Sequence, residues 1–511
     1  MNNSQWHPKL GDKVVRRTRL RVSHLKRALG IPALYAAGYG DVGSSIYYAL
    51  GIVGAVALGA TPLALAIAGI AFIFVALTYA EGISMFPEAG GSASFARHAF
   101  GDFWAFFSGW ALILTYIATI AISAYTIPPY LGHFWPILKE SPAAGTMMSM
   151  AIIFILMIVN VVGVREASII NISAAILDLA VQILIVVLGA LLVFNFSTLH
   201  THITLYWPSW ENLFVGIALA AVAYTGVETI SQLAEETRQP TKKSPIALIL
   251  TAITVLVIFA GIATVGLSTM SPIELATKWA HDPVAGIVFN LSKAIRPQEL
   301  AAGWFSGVEL QIIFVWILQG LRTVLPALVG LLAASILLIA TNAGLLGISR
   351  VTYFLGRQGL VPKVLATVHP RTMTPWVAIV FFSVISIILL IPGFFAPKAF
   401  TNLGALYAFG AALTYFLAHL SILKLRGKYP ESERPFKIGM GIRVKGHILP
   451  LSAILGMGVT AFVWIVLVLT QTYSRWLGIG WIALGVGMYF LIRKRKAPVS
   501  TLDLGEWTRG K

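Results

Sequence analysis

Residues 38–45 read Gly38-Tyr39-Gly40-Asp41-Val42-Gly43-Ser44-Ser45, and they lie in the middle of the apolar run 31–57. A run of that length reads as a membrane-crossing helix, which needs about 20 mainly apolar residues. Glycine weakens a helix interior by roughly 0.5–1 kcal/mol relative to alanine. An acid at the bilayer centre costs at least ~2.5 kcal/mol. In lipid every backbone N–H and C=O needs a partner inside the protein, so a glycine-rich interruption belongs where it lines a cavity. A second stretch has the same character: Ala223-Tyr224-Thr225-Gly226-Val227-Glu228, inside the run 212–234. Paired interruptions at corresponding places in two halves of a chain point to a transport site at the interface of inverted repeats. Freed N–H groups in the half-helix after Gly43 suit an anionic group, and freed carbonyls from Tyr224 to Gly226 suit a cation. A zwitterion fits both ends.

Composition agrees with a bilayer setting. Of 511 residues, 58% are hydrophobic and 11% charged, where soluble globular proteins average about 25% charged. Soluble enzymes, secreted disulfide scaffolds and nucleic-acid binders are excluded as first readings. The net charge of +17 sits in short loops and tails rather than on a nucleic-acid-binding face. With no cysteine, disulfides, thiolate metal sites and cysteine nucleophiles are excluded together.

Twelve spans are expected, near 31–57, 62–85, 104–127, 147–163, 172–195, 212–234, 246–268, 325–348, 375–393, 400–423, 448–470 and 477–493. Residues 1–29 read as a retained cytoplasmic tail and 494–511 as a second one. Residues 30–200 make a first repeat and 201–424 a second, which carries the long outer loop 269–324; the last two spans fall within 448–493. Of the 37 Lys and Arg residues, 30 fall on one side of this arrangement. Positive charge stays inside, so both termini are expected in the cytoplasm and the protein in the plasma membrane. Residues 309–321 (ELQIIFVWILQGL) are apolar but short, and are expected to form an extracellular helix packed on the bundle.

Three acids lie well inside spans: Asp41, Asp178 and Glu228. Acids in that setting are candidates for recognising charge or carrying a coupling proton. For Asp178 the plainer role is a structural acid hydrogen-bonded to a neighbouring broken helix. Tyr116 and Thr119 share a helical face and, with Tyr48, can line a pocket. His200 and His202 have no further ligands nearby in sequence, and neither a HExxH nor a serine-elbow motif is present. No metal, organic cofactor or catalysis is expected; a proton is the coupling ion considered.

Five ordered stretches then carry a family resemblance. They are Phe86-Pro87-Glu88-Ala89-Gly90-Gly91-Ser92, Asn160-Val161-Val162-Gly163-Val164-Arg165-Glu166, and Glu235-Glu236-Thr237-Arg238-Gln239-Pro240 after the sixth-span motif. Ser349-Arg350 with Gly356-Arg357-Gln358-Gly359-Leu360-Val361-Pro362, and Glu433-Arg434-Pro435-Phe436, complete the set. Over nearly its whole length the chain resembles the amino acid–polyamine–organocation superfamily of transporters. That resemblance implies an all-α integral membrane fold: a LeuT-like bundle of five plus five inverted helices, twelve in all, with helices 1 and 6 broken. It also implies that Gly43, Ser44 and Ser45 meet a substrate carboxylate, that the carbonyls of Ala223, Tyr224 and Thr225 meet its amino group, and that Glu228 is linked to a proton. Two departures stand out. The third residue of the usual Gly-Ser/Thr-Gly is Ser45, and Asp178 stands where proton-coupled members often carry a lysine.

The expected function is a secondary transporter of amino acids, working by alternating access and coupled to protons. Asp41 and Glu228 are expected to recognise charge or carry the proton, and Tyr224 to gate the substrate. An acid at position 41 favours cationic or amine substrates. Asp41 with Ser44, Ser45 and Tyr48 is also similar to the potassium–proton symporters of the same superfamily, which makes K⁺ the alternative cargo; the acid expected before Tyr116 is Thr115 here. A non-transporting sensor or subunit is the third reading. The partners expected are the small-molecule substrate and the lipid bilayer.

Overall fold

The computed structural model describes residues 29–163, 168–304, 307–396, 398–444 and 447–494. Among them, eleven helical stretches are long and apolar enough to cross a membrane. The first, Ile31–Met85, would be about 80 Å long if straight at 1.5 Å per residue. It is instead divided into α1 (Ile31–Gly43), α2 (Ile46–Ala57) and α3 (Thr61–Met85). Leu58 makes the second division, with φ 45° and the following 3₁₀ turn Leu58–Ala60 held by the Thr61 hydroxyl on the Leu58 carbonyl at 2.6 Å.

Next come α4 (Asp102–Leu131), α5 (Pro142–Val162) and α6 (Ser168–Leu192). Then follow the pieces of the broken sixth run, α7 (Trp210–Ala220) and α8 (Val227–Gln232), and α9 (Pro240–Thr269). The chain continues through α10 (Val308–Arg357), α11 (Trp376–Leu389), α12 (Ala399–Lys428), α13 (Leu451–Thr470) and α14 (Thr472–Lys494). Two of these helix starts carry a side-chain cap: Ser141 accepts from the Ala144 N–H before α5, and Ser209 from the Asn212 N–H before α7. A small hairpin, β1 (Gly441–Val444) and β2 (His447–Pro450), occupies the start of the expected eleventh span, which begins instead at Leu451.

Burial separates core from periphery. The apolar window of α4 is 94% buried and that of α14 only 17%, so the former is the axis of the bundle and the latter flanks it. A reciprocal pair joins them. The Trp110 and Trp481 rings stack at 4.6 Å, and each indole N–H donates to the other residue's carbonyl, at 2.8 and 3.0 Å.

One expectation is overturned here. Residues 309–321 do not form a separate helix packed on the bundle: they are the first turns of α10, one continuous helix of 50 residues. Gly320 alone does not break it, and Pro326, which removes one helical hydrogen bond, is accommodated within the helix.

The motifs that carried the resemblance are wired together. The Ala89 N–H donates to Glu235 at 3.2 Å, and Arg350 pairs with Glu236 at 2.8 Å. Asn160 donates to Asn342 at 2.6 Å. Near the first of these motifs, Arg426 grips the fully buried Glu81 with two bonds of 2.6 Å, Arg434 adds a third contact at 3.4 Å, and Ser84 bonds the Phe436 carbonyl. Val164, Arg165 and Glu166 of the second motif lie outside the described residues.

Candidate substrate site at the two helix breaks

The first break is narrower than its glycines suggest. Gly38 to Gly43 remain helical, and only Ser44 and Ser45 fall between α1 and α2, both still with right-handed helical dihedrals. The N–H groups expected to be free are held in a tight turn: Ser45 donates to Val42 at 3.0 Å, Tyr47 to Ser44 at 3.3 Å and Tyr48 to Ser45 at 3.2 Å. The Ser44 hydroxyl closes onto the Asp41 carbonyl at 2.8 Å, and Ser45 and Tyr48 share a hydrogen bond of 2.7 Å. Ser45, in place of a third glycine, keeps the chain in the right-handed region and the turn shut.

The second break is open. After a 3₁₀ turn at Ala221–Tyr224, Thr225 is extended and Gly226 takes φ 114°. That conformation is costly for any residue with a β-carbon. The carbonyls of Ala223, Tyr224 and Thr225 therefore lie where helical bonding stops. The Thr225 hydroxyl turns back to the Val222 carbonyl at 2.9 Å.

The two breaks meet at Gly226. On one side the Asp41 carboxylate lies against it, and on the other the Gly226 N–H donates to Glu228 Oε2 at 3.3 Å. Gly226 thus has the Asp41 and Glu228 carboxylates as its two neighbours. Thr229 donates a hydrogen bond to Asp41 Oδ2, and Tyr415 donates to Glu228 Oε2 at 2.8 Å. Asp41 Oδ1 is buried and accepts no hydrogen bond. Among the described residues no Lys, Arg or His forms an ion pair with Asp41, Asp178 or Glu228. Asp41, Ser44, Ser45, Thr225 and Glu228 are all buried, so a ligand reaches them only when neighbouring segments move.

The remaining sequence candidates separate into near and far. Tyr116, in α4, is reached by the Gln232 side chain from the end of α8. The Thr119 hydroxyl is spent on the Thr115 carbonyl, and that of Thr115 on the Ala111 carbonyl, so the third-span polar groups face their own helix. The Tyr224 side chain is held in the packing against α3 and α9. Its hydroxyl donates to the Leu65 carbonyl at 2.8 Å, and its ring packs on Phe72 and Phe259.

Asp178 binds across the first break. Tyr39 on α1 donates to Oδ2 at 3.0 Å and Tyr47 on α2 donates to Oδ1 at 2.6 Å. Gln182, one turn along α6, donates to Oδ2 at 2.8 Å and reaches the Gly43 carbonyl at 3.4 Å. One fully buried carboxylate thus holds both halves of the broken helix. Thr229, Gln232, Tyr415, Tyr39, Tyr47 and Gln182 were not singled out in the sequence. Gln232, four residues after Glu228, stands at helical spacing from it; Thr229 and Tyr415 carry no such signal.

A cavity of about 320 Å³ lies elsewhere, lined by Tyr125, Lys139, Thr146, His281, Gly393 and Phe400 among others. Beside it the loop between residues 278 and 284 is seated on α2. The Ala280 carbonyl approaches Gly51 so closely that a β-carbon there would stand 1.8 Å away, and only glycine fits. Lys139 pairs with Asp282 at 2.6 Å, while Tyr130 donates to the Tyr47 carbonyl and accepts from the Val284 N–H. Burial, aided by the Lys139 charge, pushes the His281 imidazole below its usual pKa. Burial also lifts the Asp282 carboxyl despite Lys139.

Broken helices facing each other across buried, unpaired acids define a membrane transporter rather than an enzyme. Residues 29–491 match the family described as "Amino acid permease", and the chain belongs to that family. It is similar to the branched-chain amino acid permease BcaP of Bacillus subtilis (strain 168), 26% identical over 502 residues, covering 93% of this chain and 95% of that one. The methylthioribose transporter of the same organism is 26% identical over 495 residues, covering 92% and 94%. Its glutamate/serine transporter AimA is 24% identical over 435 residues, covering 82% and 74%.

Proposed function

We propose that this permease carries amino acids with a neutral or cationic side chain by alternating access, coupled to protons. The reading takes Ile31–Met85 as two crossings, which gives twelve spans in a five-plus-five inverted arrangement with two flanking helices. Both termini then lie in the cytoplasm of a cell bounded by this plasma membrane.

The observation that carries the proposal is Asp41 Oδ1, a buried carboxylate oxygen that accepts no hydrogen bond beside the open second break. A buried acceptor left without a donor costs about 1–3 kcal/mol, more when charged, so a ligand that donates there binds with gain. An α-ammonium group satisfies Oδ1 together with the carbonyls of Ala223, Tyr224 and Thr225. The substrate carboxylate meets the turn at Gly43, Ser44 and Ser45, whose N–H groups are released as that turn opens. Asp41 repels an acidic side chain in the same pocket. The relatives are named for substrates as different as branched-chain amino acids, methylthioribose and glutamate or serine, and at 24–26% identity these do not transfer.

Glu228 is placed to take part in coupling. It bonds the backbone of the break through Gly226 and a second helix through Tyr415, so binding or losing a proton alters both contacts at once. The test is thermal stabilisation of the purified protein by a panel of amino acids, polyamines and K⁺, at about pH 5.5 and about pH 7.5. A ligand that binds only the folded state raises Tm by mass action, by ~2.7 kcal/mol of stability at a hundredfold excess over Kd. A shift with neutral or cationic amino acids supports the reading. A shift with K⁺ alone, absent with Na⁺, overturns it in favour of a potassium symporter.

A further inference from the structure

Helix α10 holds 50 residues, about 75 Å at 1.5 Å per residue and more than twice the ~30 Å hydrocarbon core of a bilayer. Its uncharged stretch runs between Arg322 and Arg350, so that stretch takes the membrane. The turns from Val308 to Leu321 stand beyond it, yet they are apolar and exposed: Leu310 at 55%, Trp316 at 77% and Ile317 at 59%. Exposed apolar surface of this extent outside the bilayer marks an interaction site.

One row of the exposed residues has a repeat, while Val308, Ile312 and Trp316 are exposed on other faces of the outer turns. Leu310, Ile317, Val324, Leu331 and Leu338 recur every seven residues, and all five are exposed. Three residues after the first four stand Ile313, Gly320, Ala327 and Ala334, each exposed or half-buried. Four heptads with large residues at one position and mainly small ones at the other describe a helix-pairing seam. The small residues let two backbones approach closely. The seam crosses from the membrane stretch into the outer turns without losing register.

We infer that this stripe pairs with the same stripe of a second copy of the chain, the two α10 helices running parallel about a two-fold axis along the membrane normal. Two copies inserted in the same sense are necessarily parallel at α10, and a two-fold contact brings each residue against its own counterpart. Lipid covers only the stretch between Arg322 and Arg350, whereas a second copy matches both the membrane half and the outer half. The five large residues of the stripe are 40–59% exposed in the single chain, an apolar surface that a second copy would cover. This inference does not depend on which substrate is carried.

The chain has no cysteine, so single-cysteine variants report position without background. The full-length protein carrying Leu310→Cys or Ile317→Cys is oxidised in its membrane and the products are separated by size. A covalent dimer of the chain is expected from both. None is expected from Gln319→Cys or Arg322→Cys, which are exposed but off the stripe. A β-carbon at Gly320 meets nothing within 4 Å in the single chain. Gly320→Leu is therefore expected to leave the fold and Tm unchanged while lowering the dimer fraction at least tenfold in native mass spectrometry. Only monomer in the wild type, equal cross-linking at all four positions, adducts to a different protein, or an intact Gly320→Leu dimer would each overturn the assignment.

Discussion

The Asp41 carboxylate rests directly on the α-carbon of Gly226: a β-carbon at 226 would stand 2.9 Å from the Asp41 carboxyl carbon and Oδ2. The two interrupted helices thus touch where a carboxylate oxygen lacks a donor and where the backbone is left-handed, and glycine is required at 226 on two counts. Gly226→Ala is expected to destabilise the protein by ~1–3 kcal/mol from backbone conformation alone and to displace Asp41. Uptake should fall at least tenfold, and substrate should no longer raise Tm; an unchanged substrate-induced shift would show that this contact is not part of the site.

Thr229 holds the other oxygen of Asp41. Thr229→Val keeps the shape and removes the donor, which costs ~1–3 kcal/mol when a buried acceptor is left unpaired. Substrate affinity should change with it, whereas Thr229→Ser, which keeps the hydroxyl, should stay close to wild type. Binding isotherms of the two variants side by side check this.

Asp178 gives a prediction of a different kind, because its partners lie on both sides of the first break. Tyr39→Phe and Tyr47→Phe each remove one donor, and Asp178→Asn weakens both contacts. Residues in one hydrogen-bond network are non-additive by about 0.5–3 kcal/mol. The Asp178→Asn/Tyr47→Phe pair should therefore cost less than the sum of its single changes in thermal unfolding. Strict additivity would mean that Asp178 does not bind the two half-helices together.

Glu81 and Arg426 form a buried ion pair away from the breaks, with Arg434 beside it. Removing one partner of such a pair leaves a buried charge and costs about 3–5 kcal/mol. Arg426→Leu should lower the yield of folded protein and Tm sharply. Glu81→Gln combined with Arg426→Leu should recover part of the loss, since it removes both charges of the bidentate pair and leaves only Arg434 without its partner.

Much of this was legible in the sequence because lipid imposes strong rules. The apolar runs located most of the spanning helices to within about six residues, α10 (Val308–Arg357) being the exception, and the acids with their adjoining glycines located both breaks. What escaped was set by tertiary contact. Nothing in ELQIIFVWILQGL says whether it docks on the bundle or extends a neighbouring helix, since an apolar surface serves either. Ser44 and Ser45 look like a gap in a helix, but turn hydrogen bonds close it. Tyr224 lies in the right motif, yet its side chain follows Leu65, Phe72 and Phe259 into the packing. Tyr415 reaches Glu228 from 187 residues away, a distance no local pattern spans.

The most direct test of the account is uptake of labelled neutral and cationic amino acids into proteoliposomes under an imposed proton gradient, comparing wild type with Asp41→Asn. Gradient-driven accumulation by the wild type, and a loss of cationic-substrate uptake of at least tenfold in Asp41→Asn, are the predicted results. Equal transport by both proteins would contradict the claim that the unpaired oxygen of Asp41 receives the substrate.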